Sequence, residues 1–180
     1  MTTTATLTQL PTGTWTVDPS HSEVGFTARH LMVTKVRGQF KEFEGTVKVG
    51  DDLASSQVTA LVQLASIDTG SADRDNHLRS ADFFDVENNP TMSFTSTDVS
   101  EGALTGDLTI KGVTRPVTFE LDFNGLATDP WGNTKAGFEA TATVNRKDWG
   151  LTWNAAVEGG GVLVSDKIQI TIDVQLAKQA

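Results

Sequence analysis

The feature that most constrains this chain is an alternation of apolar and polar residues with a period of two. In VTFELDF (117–123), apolar residues take every second position and polar residues fill the places between them. Side chains point alternately to the two faces of a β-strand, so this pattern predicts strands with one buried face. The same alternation recurs in residues 58–64, 138–144 and 168–176. The chain is therefore expected to be all-β.

Turn-forming residues separate the alternating segments. They stand at 50–52, 101–102, 111–112, 129–132 and 158–161 and predict about eight or nine strands. A twisted sheet of that size curls, so a closed barrel or a sandwich is expected. We predict a flexible N-terminal arm over residues 1–12, rich in threonine, and one barrel domain over residues 13–177.

Composition excludes several classes of function. The chain has 180 residues, enough for one domain, with 14 basic and 23 acidic residues and a net charge of -9, which argues against a nucleic-acid partner. It has no cysteine, so disulfides and thiolate catalysis are excluded. No apolar run is long enough for a transmembrane segment. The first residues lack the pattern of a signal peptide, so a cytoplasmic location is expected.

One segment departs from the alternation and predicts a short helix. In SADRDNHLRSADFF (71–84), Ser71 suits an N-cap, and Leu78, Ala81 and Phe84 are spaced to share one helical face. We expect a helix over about residues 72–82 that covers an end or a flank of the barrel. Two interpretations stay open, a lid over a ligand and a plain packing helix.

The stretch around Asp18, His21 and Ser22 contains the residue types of a hydrolase. Neighbouring residues of a strand face opposite sides, and no G-x-S-x-G motif surrounds Ser22. Local hydrogen bonds that shape a turn are the favoured interpretation. The chain's three histidines have no spacing typical of a metal site, so neither a metal nor another cofactor is expected.

The predicted inner face mixes large and small residues. Aromatic side chains alternate with small residues such as Ala28, Gly106 and Ala140, which favours an apolar cavity over a filled interior, although compensating packing stays open. Two inward stripes end in a cation, at His30 and at Arg146. We expect these cations to mark the mouth of the cavity and to meet a polar head group; the alternative is that Arg146 pairs with Asp148.

Linked motifs of the chain resemble the YceI-like polyisoprenoid-binding family. They are W-x-V-D-P-x-H-S-x-V-x-F (15–26), His30-Leu31, G-x-F-x-x-F-x-G (38–45), SIDTGSADRDNHLRSADFFD (66–85), P-x-x-S-F (90–94), LTGDLTIKGVTRPVTF (104–119) and N-R-K-D-W-G-L (145–151). They follow one another in order across residues 13–176. The resemblance implies a single antiparallel lipocalin-like β-barrel of about eight strands with one short helix, around a long apolar pocket that holds a polyprenyl chain.

The resemblance implies a lipid-binding protein for storage or transport, which is no enzyme and often forms a homodimer. The ligand would be an apolar isoprenoid lipid, either a polyprenyl chain or a prenyl quinone. The residues expected to bind it are Phe26, His30, Phe40, Phe43, Arg74, His77, Leu78, Phe94, Phe119, Phe138, Arg146 and Trp149. Two alternatives remain, an enzyme that acts on a hydrophobic substrate through His30 or His77, and a packed barrel that serves as a protein-interaction module.

Overall fold

The computed structural model describes residues 6–155 and 163–180. The strands are β1 (Gly13–Val17), β2 (Glu23–His30), β3 (Thr34–Phe40), β4 (Phe43–Val49), β5 (Gln57–Gln63), β6 (Ile67–Asp68), β7 (Thr91–Ser100), β8 (Ala103–Ile110), β9 (Val113–Thr128), β10 (Thr134–Asn145) and β11 (Lys167–Lys178). The helices are α1 (Ala72–Arg79) and the 3-10 helices Leu7–Gln9, Pro19–His21, Leu53–Ser55, Leu64–Ser66 and Arg146–Trp149. The predicted turn at 158–161 and the first five residues of the predicted arm lie outside the described residues.

The eleven strands form a closed barrel of eight long strands, because three of the long strands are interrupted. β1 and β2 both pair with β11, on either side of the 3-10 helix Pro19–His21. On their other edges, β1 pairs with β4 and β2 pairs with β3. The next long strand consists of β5, which pairs with β4, and β6, which pairs with β3. The predicted fold class, an all-β antiparallel barrel of about eight strands with one short helix, is confirmed.

The barrel is a meander whose last strand returns to the first. Each long strand pairs with its neighbours in sequence, and β1 closes the ring on β11 with Trp15 opposite Lys178. Every pairing is antiparallel, which short hairpins between consecutive strands permit. The predicted alternation holds in β10, where Phe138 and Ala140 are buried while Glu139 between them is exposed. Each fully buried large apolar side chain contributes roughly 1.5–3 kcal/mol to folding.

The helix is shorter than predicted, because α1 ends at Arg79 and not near residue 82. Its start is confirmed, since the Ser71 side chain accepts a hydrogen bond from the Arg74 backbone N–H. At the other end Ser80 is extended and donates both its N–H and its hydroxyl to the His77 carbonyl. These bonds satisfy a terminal carbonyl and stop the helix. Ala81 and Phe84 therefore lie in the turns after α1 and share no helical face with Leu78.

The described part of the predicted arm packs against the barrel. Leu7 is buried in a cluster with Trp15 and Phe138, and the Trp15 indole N–H donates to the Pro11 carbonyl at 3.1 Å. Burial of Leu7 therefore holds the 3-10 helix Leu7–Gln9 against Trp15 and Phe138 of the barrel.

Candidate functional site

An apolar cavity of about 320 Å³ runs inside the barrel. Its wall receives side chains from the long strands all around the ring, and nearly every lining atom is carbon. One end lies near Leu7, Leu10 and Leu53, and the other lies near Arg146 and Trp149. The volume falls within the range of about 300–1,000 Å³ that is usual for small-molecule sites. The interior is therefore not filled by its own side chains.

Nine of the twelve residues predicted to bind the ligand line this cavity. They are Phe26, Phe40, Phe43, Leu78, Phe94, Phe119, Phe138, Arg146 and Trp149. Edge contacts between rings organise the aromatic wall, with ring centres 5.5 Å apart for Phe94 and Phe119 and 6.1 Å apart for Phe40 and Phe84. The structure thus brings most of the predicted residues into one continuous surface, and their contact with a ligand stays a prediction.

The small residues of the inner face play two different roles. A Cβ at Gly106 would collide with the Phe94 ring, and one at Gly45 would lie 2.8 Å from Cγ2 of Val17. These glycines make room for a neighbour from the adjacent strand, and of the two only Gly45 also borders the cavity. Ala28, Ala60 and Ala140 do line the cavity. Both interpretations of the small residues therefore hold, each at different positions.

Arg146 closes one end of the cavity and is only 4% exposed. Its guanidinium donates to four backbone carbonyls, those of Leu151, Trp153, Val164 and Ser165. A second Nη2 hydrogen is left for Asp166, whose carboxylate oxygen lies 3.7 Å away. Burial lowers the pKa of Arg146 from its ordinary value and Asp166 opposes this effect, but an arginine stays charged at neutral pH.

The partners of Arg146 differ from both expectations for this residue. The expected pairing with Asp148 is wrong, because the ion-pair partner is Asp166. The side chain is inward as predicted, yet four of the five N–H groups of its guanidinium donate to backbone carbonyls, and the Nη2 group also lies within ion-pair distance of Asp166. Arg146 therefore ties the chain segments at 151–153 and 164–166 together across the barrel end and leaves little donor capacity for a head group.

His30 does not face the cavity, which corrects the prediction for this residue. It is the last residue of β2, is exposed, and is not part of the cavity wall. The part of β2 that lines the cavity ends at Ala28, although His30 still forms a bridge with Val164 of the neighbouring segment. Alternation identifies the side of a strand on which a residue lies but not the point where the cavity wall ends. The prediction therefore extended the inner face of β2 two residues too far, from Ala28 to His30.

The cations of α1 bind the chain beside the helix, and neither Arg74 nor His77 lines the cavity. Arg74 donates to the hydroxyl and the carbonyl of Thr69, each at 2.7 Å. His77 lies 2.9 Å from the Asp82 carboxylate, and its ring meets the Trp153 ring edge-on at 4.5 Å. These contacts hold α1 in place and bring Leu78 onto the cavity wall, so the helix covers that end of the cavity.

Leu7 and Leu10 line the cavity but were missed by the sequence reasoning. The threonine-rich composition of residues 1–12 suggested a loose arm. A signal was present, because Leu7 and Leu10 are apolar residues three apart in a polar stretch, a spacing that places two side chains on one side of a helical turn.

Asp18, His21 and Ser22 shape a break in the first long strand, as predicted. Asp18 caps the 3-10 helix Pro19–His21 by accepting from the Ser20 N–H and hydroxyl, and its second oxygen lies 2.9 Å from Nδ1 of His21. The hydrogen bonds from Ser20 and from His21 lower the pKa of Asp18 to about 2. The Ser22 hydroxyl instead accepts the Gln175 N–H at 3.0 Å. Ser22 is thus separated from the Asp18–His21 pair, which does not form a triad.

Neither a cluster of metal ligands nor a membrane-spanning helix occurs within residues 6–155 and 163–180. No group of three or more histidine, aspartate or glutamate side chains is placed to hold a metal ion. No helix within these ranges has the length and apolar character needed to cross a bilayer.

Comparison with known proteins yields a family match and several relatives. A family model described as YceI-like domain matches residues 15–176. A UPF0312 protein of Staphylococcus epidermidis is 41% identical over 163 residues, which are 89% of this chain and 95% of the relative. A UPF0312 protein of Staphylococcus aureus is 38% identical over 166 residues, covering 91% of this chain and 96% of the relative.

Solved structures share the same barrel. A Campylobacter jejuni YCEI protein has a TM-score of 0.70 at 28% identity and covers 84% of this chain and 90% of its own. Burkholderia cenocepacia BcnA has a TM-score of 0.74 at 22% identity, over 88% of this chain and 98% of its own. A polyisoprenoid binding domain from Saccharophagus degradans, implicated in plant cell wall breakdown, has a TM-score of 0.71 at 12% identity. This match covers 92% of this chain and 98% of the Saccharophagus degradans chain. The last two likenesses concern the fold alone.

Proposed function

Because the chain belongs to the YceI-like domain family, we propose that it binds a polyisoprenoid-type lipid, a polyprenyl chain or a prenyl quinone, in the barrel cavity. The lipid would be enclosed reversibly, for storage or transport. The fold neighbour from Saccharophagus degradans, a polyisoprenoid binding domain, supports the choice of ligand class. It supports no statement on chain length or head group.

One observation carries the proposal, the apolar character of the cavity from end to end. Two charged residues border it among those described: Glu44, which is exposed, and Arg146, which already uses its donors on backbone carbonyls. A polar ligand would lose its hydrogen bonds to water on entry and find few in return, which costs free energy. A hydrocarbon chain loses none and gains roughly 0.8 kcal/mol for each buried CH₂. The cavity therefore selects against polar molecules and in favour of a long apolar tail.

The lipid tail would lie along the cavity with its head group outside the wall. The sequence predicted that the head group meets His30 and Arg146. The full set of contacts made by Arg146 argues against that residue as a head-group ligand. Movement of α1 and the turns after it would open the end lined by Leu78, Phe83 and Phe84 and admit the ligand.

No catalytic step is part of this proposal. The two histidines considered for acid–base chemistry stand apart from the cavity wall, His30 on the exposed end of β2 and His77 against Asp82. Turnover of a hydrophobic substrate that is lost in His77→Ala would contradict a purely binding role. The homodimer and the cytoplasmic location stay predictions, to be checked by light scattering and by cell fractionation.

The direct test is extraction of the purified protein with organic solvent, followed by mass spectrometry of the extract. We expect a co-purified isoprenoid lipid, or uptake of an added prenyl quinone by the empty protein. Absence of both would contradict the proposal.

A pair of variants ties uptake to the cavity. Ala140→Met adds side-chain volume to the wall and should weaken prenyl-quinone binding by tenfold or more, because about 1.4 kcal/mol of lost contact already corresponds to a factor of ten. Glu139→Met, one residue away on the exposed face, is the matched control and should bind as the parent protein does. Titration by fluorescence quenching measures both, and equal affinities for the two variants would contradict the assignment of the site.

A further inference from the structure

The hairpin between β2 and β3 ends in a turn with an unusual sequence. The Val33 N–H donates to the His30 carbonyl at 3.1 Å, and the two central residues, Leu31 and Met32, have φ of 53° and 57°. β-Turns with positive φ at both central positions favour Asn-Gly, because a bulky side chain fits this backbone poorly. The turn thus holds two large apolar residues in a conformation that suits neither.

The same residues form an exposed apolar surface, the hairpin tip (31–33). Leu31 is 41% exposed, Met32 57% and Val33 75%. Exposure of three consecutive large apolar residues is unfavourable in water, and the backbone conformation offers no compensation. A contact outside the barrel would explain both features.

The flanks of the hairpin are basic, in a chain whose net charge is -9. Between Val24 and Lys41 there are three Lys or Arg residues and no acidic residue. Arg29 stands directly opposite Lys35, and Arg37 follows two residues later on the same face. Like charges opposite each other destabilise a sheet, and no ion pair relieves these three, the basic flank, within the described ranges. On the adjoining segment, Asp166 is engaged by Arg146 and Lys147.

The hairpin projects from the end of the barrel where α1 and Arg146 lie. β6 pairs with β3 only at Gln39 and Phe40, so residues 34–38 extend beyond that partner. The last cavity residue of β2 is Ala28, three residues before Leu31. On the neighbouring segment, Val164 lines the cavity and forms a bridge with His30, and the Leu31 N–H donates to the Leu163 carbonyl at 2.9 Å, so the hairpin tip lies directly beside the rim of the cavity.

We propose that the hairpin tip inserts into the surface of an anionic lipid bilayer while the basic flank contacts lipid phosphates. Apolar residues beside lysine and arginine are the combination that binds at the boundary between head groups and acyl chains. Three side chains are too few for a stable protein–protein interface of about 1,200 Å² or more. The negative charge of the rest of the molecule repels an anionic surface, which orients this barrel end toward the bilayer. The inference rests on the proposed function only for the identity of the bound lipid. Docking would bring the cavity end to the membrane that supplies or receives this lipid.

The test is flotation of the purified chain with vesicles that contain no isoprenoid. We expect binding to vesicles of phosphatidylglycerol and phosphatidylcholine, and little binding to phosphatidylcholine alone. Added salt should weaken the binding, because it screens the attraction between exposed charges. Absence of binding to the anionic vesicles would overturn the proposal.

Variants separate the tip from the flank. Leu31→Asn together with Met32→Gly places the dipeptide that the turn favours and removes two apolar side chains, so the variant should fold and lose at least tenfold in vesicle affinity. Arg29→Gln, Lys35→Gln and Arg37→Gln should each weaken binding about fivefold, which corresponds to about 1 kcal/mol per cation. Trp131→Ser is the matched control, since Trp131 is 83% exposed on another hairpin, and it should leave vesicle binding unchanged.

Two results would overturn the proposal even if the parent chain binds vesicles. One is equal vesicle affinity of the parent and the Asn-Gly variant. The other is a dimer that the Asn-Gly variant dissociates without any change in vesicle binding, which would assign the hairpin tip to a second copy of this chain. Uptake of prenyl quinone in solution by the Asn-Gly variant, at the parent's affinity, distinguishes loss of docking from loss of the cavity function.

Discussion

Arg146 contributes to structure more than to recognition. Its head group crosses one end of the cavity and bonds to carbonyls of two separate chain segments. A buried carbonyl that loses its donor keeps its full desolvation penalty. Arg146 therefore stabilises this end of the barrel by linking the two segments.

Arg146→Met should lower the free energy of unfolding by about 3 kcal/mol or more, because several carbonyls lose their partner together. Denaturation by urea measures the change. Lys147→Met is the matched control, since Lys147 is half exposed and pairs with the same Asp166 at 3.4 Å, and it should cost less than about 1 kcal/mol. Similar losses in the two variants would contradict the structural role.

The sequence could predict which residues alternate inward but not where their contacts are made. Phe119 was placed on the buried face by the period of two in residues 117–123, because its strand is long and regular. The partners of Arg146 could not be predicted, since they are backbone carbonyls up to nineteen positions away in sequence that only the folded chain brings together. His30 was misplaced for a related reason, because the end of the wall depends on neighbouring strands.

At the scale of the elements, the interruptions of the long strands position the site. The 3-10 helix Pro19–His21 turns the chain between β1 and β2 so that both strands can pair with β11. Asp18 holds this break as its N-cap. The pattern DPSH could be interpreted from the sequence as a turn, since Pro fixes φ and Asp accepts bonds from the residues after it.

The break should give the protein a measurable acid sensitivity. Hydrogen bonds from Ser20 and His21 lower the pKa of Asp18 from 3.8 to about 2. A carboxylate with a depressed pKa in the folded state stabilises the fold above its unfolded-state pKa, and this stability is lost as the pH falls toward the folded-state value. Asp18→Asn should therefore be less stable than the parent at neutral pH, by on the order of 1 kcal/mol.

The difference between the parent and Asp18→Asn should shrink between about pH 4 and pH 2, where the parent carboxylate takes up its proton. Thermal unfolding followed by circular dichroism across this range measures it. A difference that stays constant over the whole range would show that Asp18 acts without its charge.

The helix α1 marks the limit of prediction at this scale. Its N-cap could be predicted from Ser71, because a cap is a local interaction of adjacent residues. Its end could not, since Ser80 and the turn bonds after it compete with further helix. A pattern of apolar residues alone does not decide between a third turn of helix and a tight loop that also places Phe83 and Phe84 against the cavity.

For the whole molecule, the extended shape of the cavity predicts that ligand length determines affinity. Along the series geraniol, farnesol and geranylgeraniol, each added isoprene unit should raise the melting temperature, because more apolar surface is buried and a ligand stabilises the state that binds it. Differential scanning fluorimetry at equal ligand concentration measures the series.

The gain should stop once the cavity is full, and Ala140→Met should move this limit to a shorter chain. A melting temperature that depends on the head group and not on the tail length would contradict the proposed mode of binding.

Strand number and alternation are properties of the chain itself, and they predicted a closed barrel or a sandwich; the family resemblance then indicated the barrel. The existence of open space inside could not be decided in the same way. Gly106 and Ala140 are both small, yet Phe94 occupies the room beside one while the other borders the cavity. Such a difference depends on how rings from adjacent strands meet, which no single strand specifies.

The pairing of β1 with β11 also has a consequence for how the protein is made. A ribosome delivers residues 13–17 long before residues 176–178, so β1 can pair with β4 early while its other edge stays unpaired until β11 is synthesised. Contacts between positions so far apart in sequence form slowly, and the unfinished barrel is an open sheet with two free edges and an uncovered apolar face. During that interval the nascent chain is exposed to aggregation, and an apolar ligand present at that time could enter sideways, without passing through either end of the finished barrel.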